Sequence, residues 1–388
     1  MPEPSSRAPS PAVVLVTGSG RSGTSSLAGS LRLLGLRVPQ PEVPASRTNP
    51  RGFFEPQWVV DFHKSRLKRL GLHNIDGRPW AADLVAESLQ DPASEQELTA
   101  WLREEVPAGS GRADGHPAVV VKDPHAFWFA DVWRRSAATL GLDLGFLTAL
   151  RHPAEVAGSR DLAYLQQQPP ETRRGRETAN IAGWVQAALL TERASREHRR
   201  AFVRYTDLVE DWRTALGRAG AQLGLDVADQ VALTHHPIDD FLDPGMRKAR
   251  LGWDDVEVPP RLRDLAQQVW ELMEALVLDP DDARARAGLD EAGEAYDRLY
   301  RESTDIAWDH VRAREALLAA AHAEEVERLR RRLRRARREA TARAGTEATQ
   351  SRGTRGPDTV PRAVRAGRRT AARAARWAAR RLPGRDRD

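Results

Sequence analysis

The 388-residue chain contains no cysteine. Disulfides, thiolate nucleophiles and cysteine-ligated zinc are therefore excluded from its chemistry. Lysine is scarce too: only Lys64, Lys68, Lys122 and Lys248 stand among 60 basic residues. An arginine and alanine bias of this kind follows genome composition, so arginine abundance alone says little about function. No apolar run approaches the ~18 residues that a membrane span requires. The opening residues, MPEPSSRAPSP, offer neither a basic n-region nor an apolar h-region. The expectation is a soluble, cytoplasmic protein that is not secreted.

The charge that is present is unevenly spread. Net charge is +5 over the chain, yet residues 328–388 hold 21 arginines against 5 acidic residues, +16 in net, which leaves −11 on the rest. A basic tail follows a mildly acidic body, and nothing in that body calls for nucleic acid.

Residues 1–11 are rich in proline and serine, a disordered composition. Short apolar runs then alternate with helical patterns. Strands are predicted at 12–17, 118–121, 145–150 and 202–205, with helices at 23–36, 57–71, 127–140, 154–166, 176–200 and 207–224. Strands separated by helices predict parallel β-α-β units and a doubly wound α/β sheet. In such sheets ligands sit beyond the carboxyl ends of the strands. The polar stretches GSGRSG, KDPH, RHP and YTD all fall there. Past residue 230 the pattern becomes helical, at 260–278 and 290–343. Val326, Leu329, Leu333, Ala336 and Ala340 form a short heptad seam. The expected organisation is a disordered N-terminus at 1–11, an α/β domain over 12–280, a helical extension over 281–344, and a basic, partly disordered tail over 345–388. Residues 345–359 read as a linker within that tail.

Residues 16–27 read VTGSGRSGTSSL, directly after a buried-strand run. Gly18, Gly23 and Ser25 fit the frame of a phosphate-binding P-loop, G-x-x-x-x-G-K-[ST]. Thr24 stands in place of the lysine, and the cation is Arg21. A strand-to-helix loop still offers consecutive backbone N–H groups and the positive end of the helix dipole to an oxyanion. Without the lysine a triphosphate chain loses its counter-charge. Arg21 suits a shorter anion held bidentately.

The stretch Arg21-Ser22-Gly23-Thr24-Ser25, with Gly20 before it, resembles the 5′-phosphosulfate loop of sulfotransferases that use 3′-phosphoadenosine 5′-phosphosulfate (PAPS). A second element joins it: RHPAEVAGS, with Arg151 at a strand end and Ser159 eight residues later. This resembles the family's 3′-phosphate element. Two anion sites on successive strand ends suit a nucleotide phosphorylated at both its 3′ and 5′ positions. The resemblance covers about residues 12–250. It implies a P-loop-like α/β fold, PAPS as co-substrate, no metal, and sulfuryl transfer to a hydroxyl or amine of a glycan, lipid or metabolite.

Further residues follow from the resemblance. Lys122 in VVVKDPH is similar to a family lysine that stabilises the leaving-group oxygen. Glu55 in NPRGFFEPQW is the expected general base, since packing against Phe53 and Phe54 would raise its pKa. His63 and His125 are the rivals, His125 the stronger because it stands beside Lys122. Tyr205 in VRYTDL and Arg247, next to Lys248, match stretches that approach the cofactor.

Two other readings stay open: a P-loop nucleotide kinase, which the absent loop lysine opposes, and a non-catalytic scaffold of the same fold. The cationic stretch at 360–382 and the seam at 326–340 could serve self-association or an anionic membrane surface, peripherally at the inner face.

Overall fold

The computed structural model describes residues 11–47, 49–110, 117–164, 170–243, 245 and 251–352. Four strands, β1 (Val13–Thr17), β2 (Val119–Lys122), β3 (Leu144–Leu150) and β4 (Arg199–Arg204), make one parallel sheet in the order β2-β1-β3-β4. Val13 lies opposite Val119 on one side and Leu144 on the other, and Leu150 opposite Arg204. The expected parallel α/β sheet is present.

Helices fill every connection. Between β1 and β2 run α1 (Thr24–Leu33), α2 (Gln57–Arg69), α3 (Ala81–Ser88) and α4 (Pro92–Glu105). A 3₁₀ turn at Ala126–Phe129 and α5 (Ala130–Thr139) lead to β3; α6 (Pro153–Tyr164) and α7 (Pro170–Ser195) lead to β4. After β4 come α8 (Tyr205–Glu210), α9 (Trp212–Leu223), α10 (Ala228–Val231), α11 (Pro237–Phe241), α12 (Pro260–Leu278), α13 (Ala283–Ile306) and α14 (Trp308–Arg352).

Both faces of the sheet are covered, which is why its strands read as continuous apolar runs rather than alternating ones. Val13, Leu15, Val121 and Phe146 pack with Phe62 of α2, Leu98 of α4 and Trp133 of α5. Val14, Val16, Val120 and Leu147 pack with Leu27 of α1 and Leu216 of α9. A third cluster joins Trp184 of α7, Val269 of α12 and Tyr296 of α13.

Several expected boundaries move. The predicted helix at 207–224 is two helices, because the Asp211 side chain accepts from the Thr214 N–H and caps a fresh start. Tyr205 opens α8 instead of closing β4. The α/β body extends past 280 to 306. There α13 buries Ala285, Leu289, Ala292 and Tyr296, and Tyr296 Oη donates to the carbonyl of Ala182 at 3.1 Å. The single helix predicted over 290–343 is divided between α13 and α14, and the chain separates into compact units at 306/307.

The second unit is described by α14. It carries the seam, with Leu329 and Leu333 about half exposed, and continues to Arg352 through residues expected to be linker. Alanine, glutamate and glutamine there favour helix, and one glycine costs only about 1 kcal/mol. The cationic stretch at 360–382 lies outside the described residues, as do residues 1–10. No helix among the described residues is long and apolar enough to cross a membrane.

Candidate active site

The chain passes from β1 out to β2 and back across to β3, so the direction of winding reverses at β1. Ligands of open α/β sheets lie in the crevice such a reversal leaves at the carboxyl ends of the strands. A cavity of about 770 Å³ occupies that place, lined from all four strand ends by Arg21, Lys122, Arg151 and Tyr205 among others.

The loop after β1 is held in a path that requires glycine at two points. Gly18 has φ +127°, and a Cβ on it would stand 2.6 Å from the Ala149 carbonyl oxygen. Gly23, the N-cap of α1, has φ +89°, and its Cβ would stand 2.2 Å from Tyr205 Cδ2. Arg21 also has a positive φ, 78°, a conformation that disfavours L side chains and is retained only where its surroundings impose it. The surroundings are visible. Arg21 Nε donates to Ser159 Oγ at 3.1 Å, and Arg151 Nη1 donates to the Arg21 carbonyl at 3.1 Å. The two elements that the sequence places 130 residues apart are therefore joined. Arg151 is buried, donates from Nε to Glu155 Oε2 at 2.9 Å, and lies 4.8 Å from the centre of the Tyr205 ring. Gly20, Thr24 and Ser25 line the cavity with Arg21. Ser22 Oγ is buried with no hydrogen-bond partner among the described residues.

Lys122 ends β2 almost fully buried and is ion-paired to Glu55. Its ammonium also donates to Ser25 Oγ at 3.2 Å, and Asn49 Nδ2 donates to the same hydroxyl at 3.3 Å. Glu55 is delivered by Phe54, whose φ of 55° turns the chain just before it and whose ring meets Phe241 edge-on at 5.7 Å. The Glu55 carboxylate is engaged by the lysine.

A second group lies behind Lys122. Asp123 Oδ2 is 2.6 Å from His63 Nδ1, and Asp123 Oδ1 is 2.6 Å from His125 Nδ1. The indole N–H of Trp133 donates to His63 Nε2 at 3.0 Å. An indole N–H can only donate, so His63 Nε2 carries no proton and its Nδ1–H points at Asp123. Burial pushes His63 below the ordinary imidazole pKa, despite the opposing bond to Asp123. Burial would push Asp123 upward, but the interaction with His125 and the hydrogen bonds from both imidazoles outweigh it and hold the carboxyl well below its usual range. Asp123 is thus an ionised acceptor between two imidazoles. His125 lines the cavity, and its Nε2 is buried with no partner among the described residues.

Of the residues named from sequence, Gly20, Arg21, Gly23, Thr24, Ser25, Glu55, Lys122, His125, Arg151, Ser159 and Tyr205 line this one crevice, while Ser22 is buried within the same loop. His63 stands behind it. Arg247 and Lys248 lie outside the described residues. Asp123, Asn49 and Glu155 were not singled out from sequence. Only Asp123 carried a readable signal, since Asp-Pro-x is a turn in which the aspartate takes the N–H two residues on, here that of His125 at 3.2 Å. Among the described residues no group of three or more His, Asp or Glu is placed to hold a metal ion.

A parallel α/β protein with an anion-type loop at its switch point is the class that fold and site define. No family model and no curated protein matches the chain. Among solved structures it is similar to the sulfotransferase domain from the Synechococcus PCC 7002 olefin synthase. That match has 17% identity and a TM-score of 0.35, over 76% of this chain and 97% of that one. It is also similar to the sulfotransferase domain from the curacin biosynthetic pathway, at 18% identity and a TM-score of 0.35 over 69% and 99%.

Proposed function

We propose that the chain is a PAPS-dependent sulfotransferase acting on a hydroxyl or amine acceptor. The observation that carries this reading is the union of the Arg21 loop with Arg151 and Ser159 in one cavity, which offers one ligand two anion sites. The residues fit such a ligand. The first turn of α1 has N–H groups without helical acceptors, and 770 Å³ is ample for a nucleotide.

When bound, the donor supplies the sulfuryl group and leaves as adenosine 3′,5′-bisphosphate. Arg21, Gly23, Thr24 and Ser25 hold the 5′ side, and Arg151 with Ser159 holds the 3′-phosphate. Tyr205 sets the floor between them by packing on Gly23 and Arg151. Lys122 neutralises charge on the leaving oxygen, and its burial strengthens that effect because water does not screen it. Two groups could take the acceptor proton. The Glu55 carboxylate is committed to Lys122, whereas His125 Nε2 has no partner among the described residues while Asp123 holds its Nδ1. On this reading Glu55 keeps Lys122 in place and His125 takes the proton.

Calorimetric titration with adenosine 3′,5′-bisphosphate, run beside Mg-ATP and repeated on Arg151→Ala, tests the reading. The bisphosphate should bind the wild type and not the variant, and ATP should not match it. Preference for Mg-ATP, or binding of neither, would overturn the proposal.

A further inference from the structure

The cavity has more cationic lining than the donor uses. Arg21, Arg51, Lys64, Lys122, Arg151 and Arg160 line it, against Glu55 and Asp243. The sheet order gives these residues positions. Arg151 and Tyr205 follow the inner strand β3 and the edge strand β4, the loop follows β1, and Lys122 closes β2, the opposite edge. A donor reaching from Arg151 and Ser159 to the loop and Lys122 has its reacting end at β2. Whatever accepts the sulfuryl group enters beyond that edge.

Beyond β2 only a single bridge, Arg37 to Val119, extends the sheet, and α2 lies over the face that carries Leu15 and Val121. The bond from His63 to Asp123 ties α2 to the residue directly after β2. The next residue on α2, Lys64, is exposed and lines the cavity together with Asn74, which follows the helix. Among the described residues no carboxylate lies within ion-pair distance of Lys64, in contrast to Lys122. Lysine is also rare in this chain, with four in 388 residues, and two of those four line this cavity. A lone ammonium at the mouth of a cleft, with an amide beside it, suits an anionic group whose orientation is not fixed in advance.

We infer that the acceptor bears a carboxylate or phosphate group as well as its reacting hydroxyl, and that Lys64, assisted by Asn74, holds that anion at the β2 end of the cavity. The inference rests on the sulfuryl-transfer reading. Lys64 binds and orients, while proton transfer stays with the groups around Lys122.

The test uses the full chain saturated with adenosine 3′,5′-bisphosphate. Ligand-observed NMR titrations compare glucuronate and glucose 6-phosphate with glucose, and 4-hydroxybenzoate with 4-hydroxybenzyl alcohol. In at least one set the anionic member should bind about five- to tenfold tighter than its neutral twin, as one charge-assisted contact in a partly covered cleft allows. The carboxylate and phosphate arms decide between the two anions. The preference should vanish in Lys64→Gln and shrink at high salt, while the bisphosphate binds Lys64→Gln within about twofold of wild type, since a contact not made contributes nothing to affinity. Equal binding of neutral and anionic members in both sets, or a preference that survives in Lys64→Gln, would overturn the inference. So would loss of bisphosphate affinity in that variant, which would assign Lys64 to the donor. Failure of the wild type to bind the bisphosphate at all would instead remove the sulfotransferase reading beneath it.

Discussion

Substituting Gly23 by alanine is the sharpest test of how the loop is held. The added Cβ would stand 2.2 Å from Tyr205 Cδ2 and 2.9 Å from Cε2, and the residue would keep a φ of +89°. A left-handed conformation costs an L residue about 1–2 kcal/mol, and an overpacked contact about 1–3 kcal/mol. Together they predict a loss of about 2–5 kcal/mol, a fall in melting temperature of about 3–8 °C for a body of this size. The two contributions separate in a double-mutant cycle, because Tyr205→Ala removes the clash and leaves the φ cost. Thermal unfolding of Gly23→Ala, Tyr205→Ala and the double variant should give a double variant more stable than the sum of the singles by at least about 1 kcal/mol. Additive losses, or a Gly23→Ala protein that melts with the wild type, would refute the packing of Tyr205 on the loop.

Two more outcomes follow from the buried charges. Lys122→Met should cost about 3–5 kcal/mol in urea unfolding, because it leaves the Glu55 carboxylate without its counter-charge, and Lys122→Met with Glu55→Leu should recover part of that loss; a double variant no better than Lys122→Met would break the argument. Stability should also fall as the solution is acidified below about pH 6.5. His63 resists protonation in the fold because it is buried, while the unfolded chain takes up the proton near its ordinary value. The contribution is therefore complete above about pH 6.5 and is lost below it, by up to about 1.4 kcal/mol per pH unit. His152, His198 and His236 are lowered in the same sense, so the comparison is with His63→Gln, whose unfolding free energy should decline less steeply between pH 6.5 and 5. Equal slopes would show that His63 is not held neutral.

The parts of the site that lie on strand ends were legible because strand and loop announce each other. An apolar run buried on both faces, followed at once by glycines or by Asp-Pro, marks the carboxyl end of a parallel strand, and Arg21, Lys122 and Arg151 were found that way. Residues that reach the site across the fold carried no such mark. His63 meets Asp123 across 60 positions, and Asn49 meets Ser25 through a turn whose path depends on Phe54. The short helices α3 and α4 carried no strand-end mark either, since their stability comes from packing Val85, Leu98 and Trp101 into the cluster with Trp133 rather than from their own propensity. The end of the body at 306 was hidden for a similar reason. Tyr296 looks like any helical aromatic until its hydroxyl finds the carbonyl of Ala182.

The missing loop lysine has a structural counterpart. In a nucleoside-triphosphatase the hydroxyl at the position of Ser25 ligates the magnesium ion, and the preceding lysine reaches the terminal phosphates. Here Thr24 is buried at the lysine position, and the nearest ammonium comes from the neighbouring strand. Lys122 Nζ lies 3.2 Å from Ser25 Oγ, on the hydroxyl that a nucleotide-bound magnesium would need. Lys122 is itself ion-paired to Glu55, so the ammonium beside Ser25 is a paired charge delivered by β2.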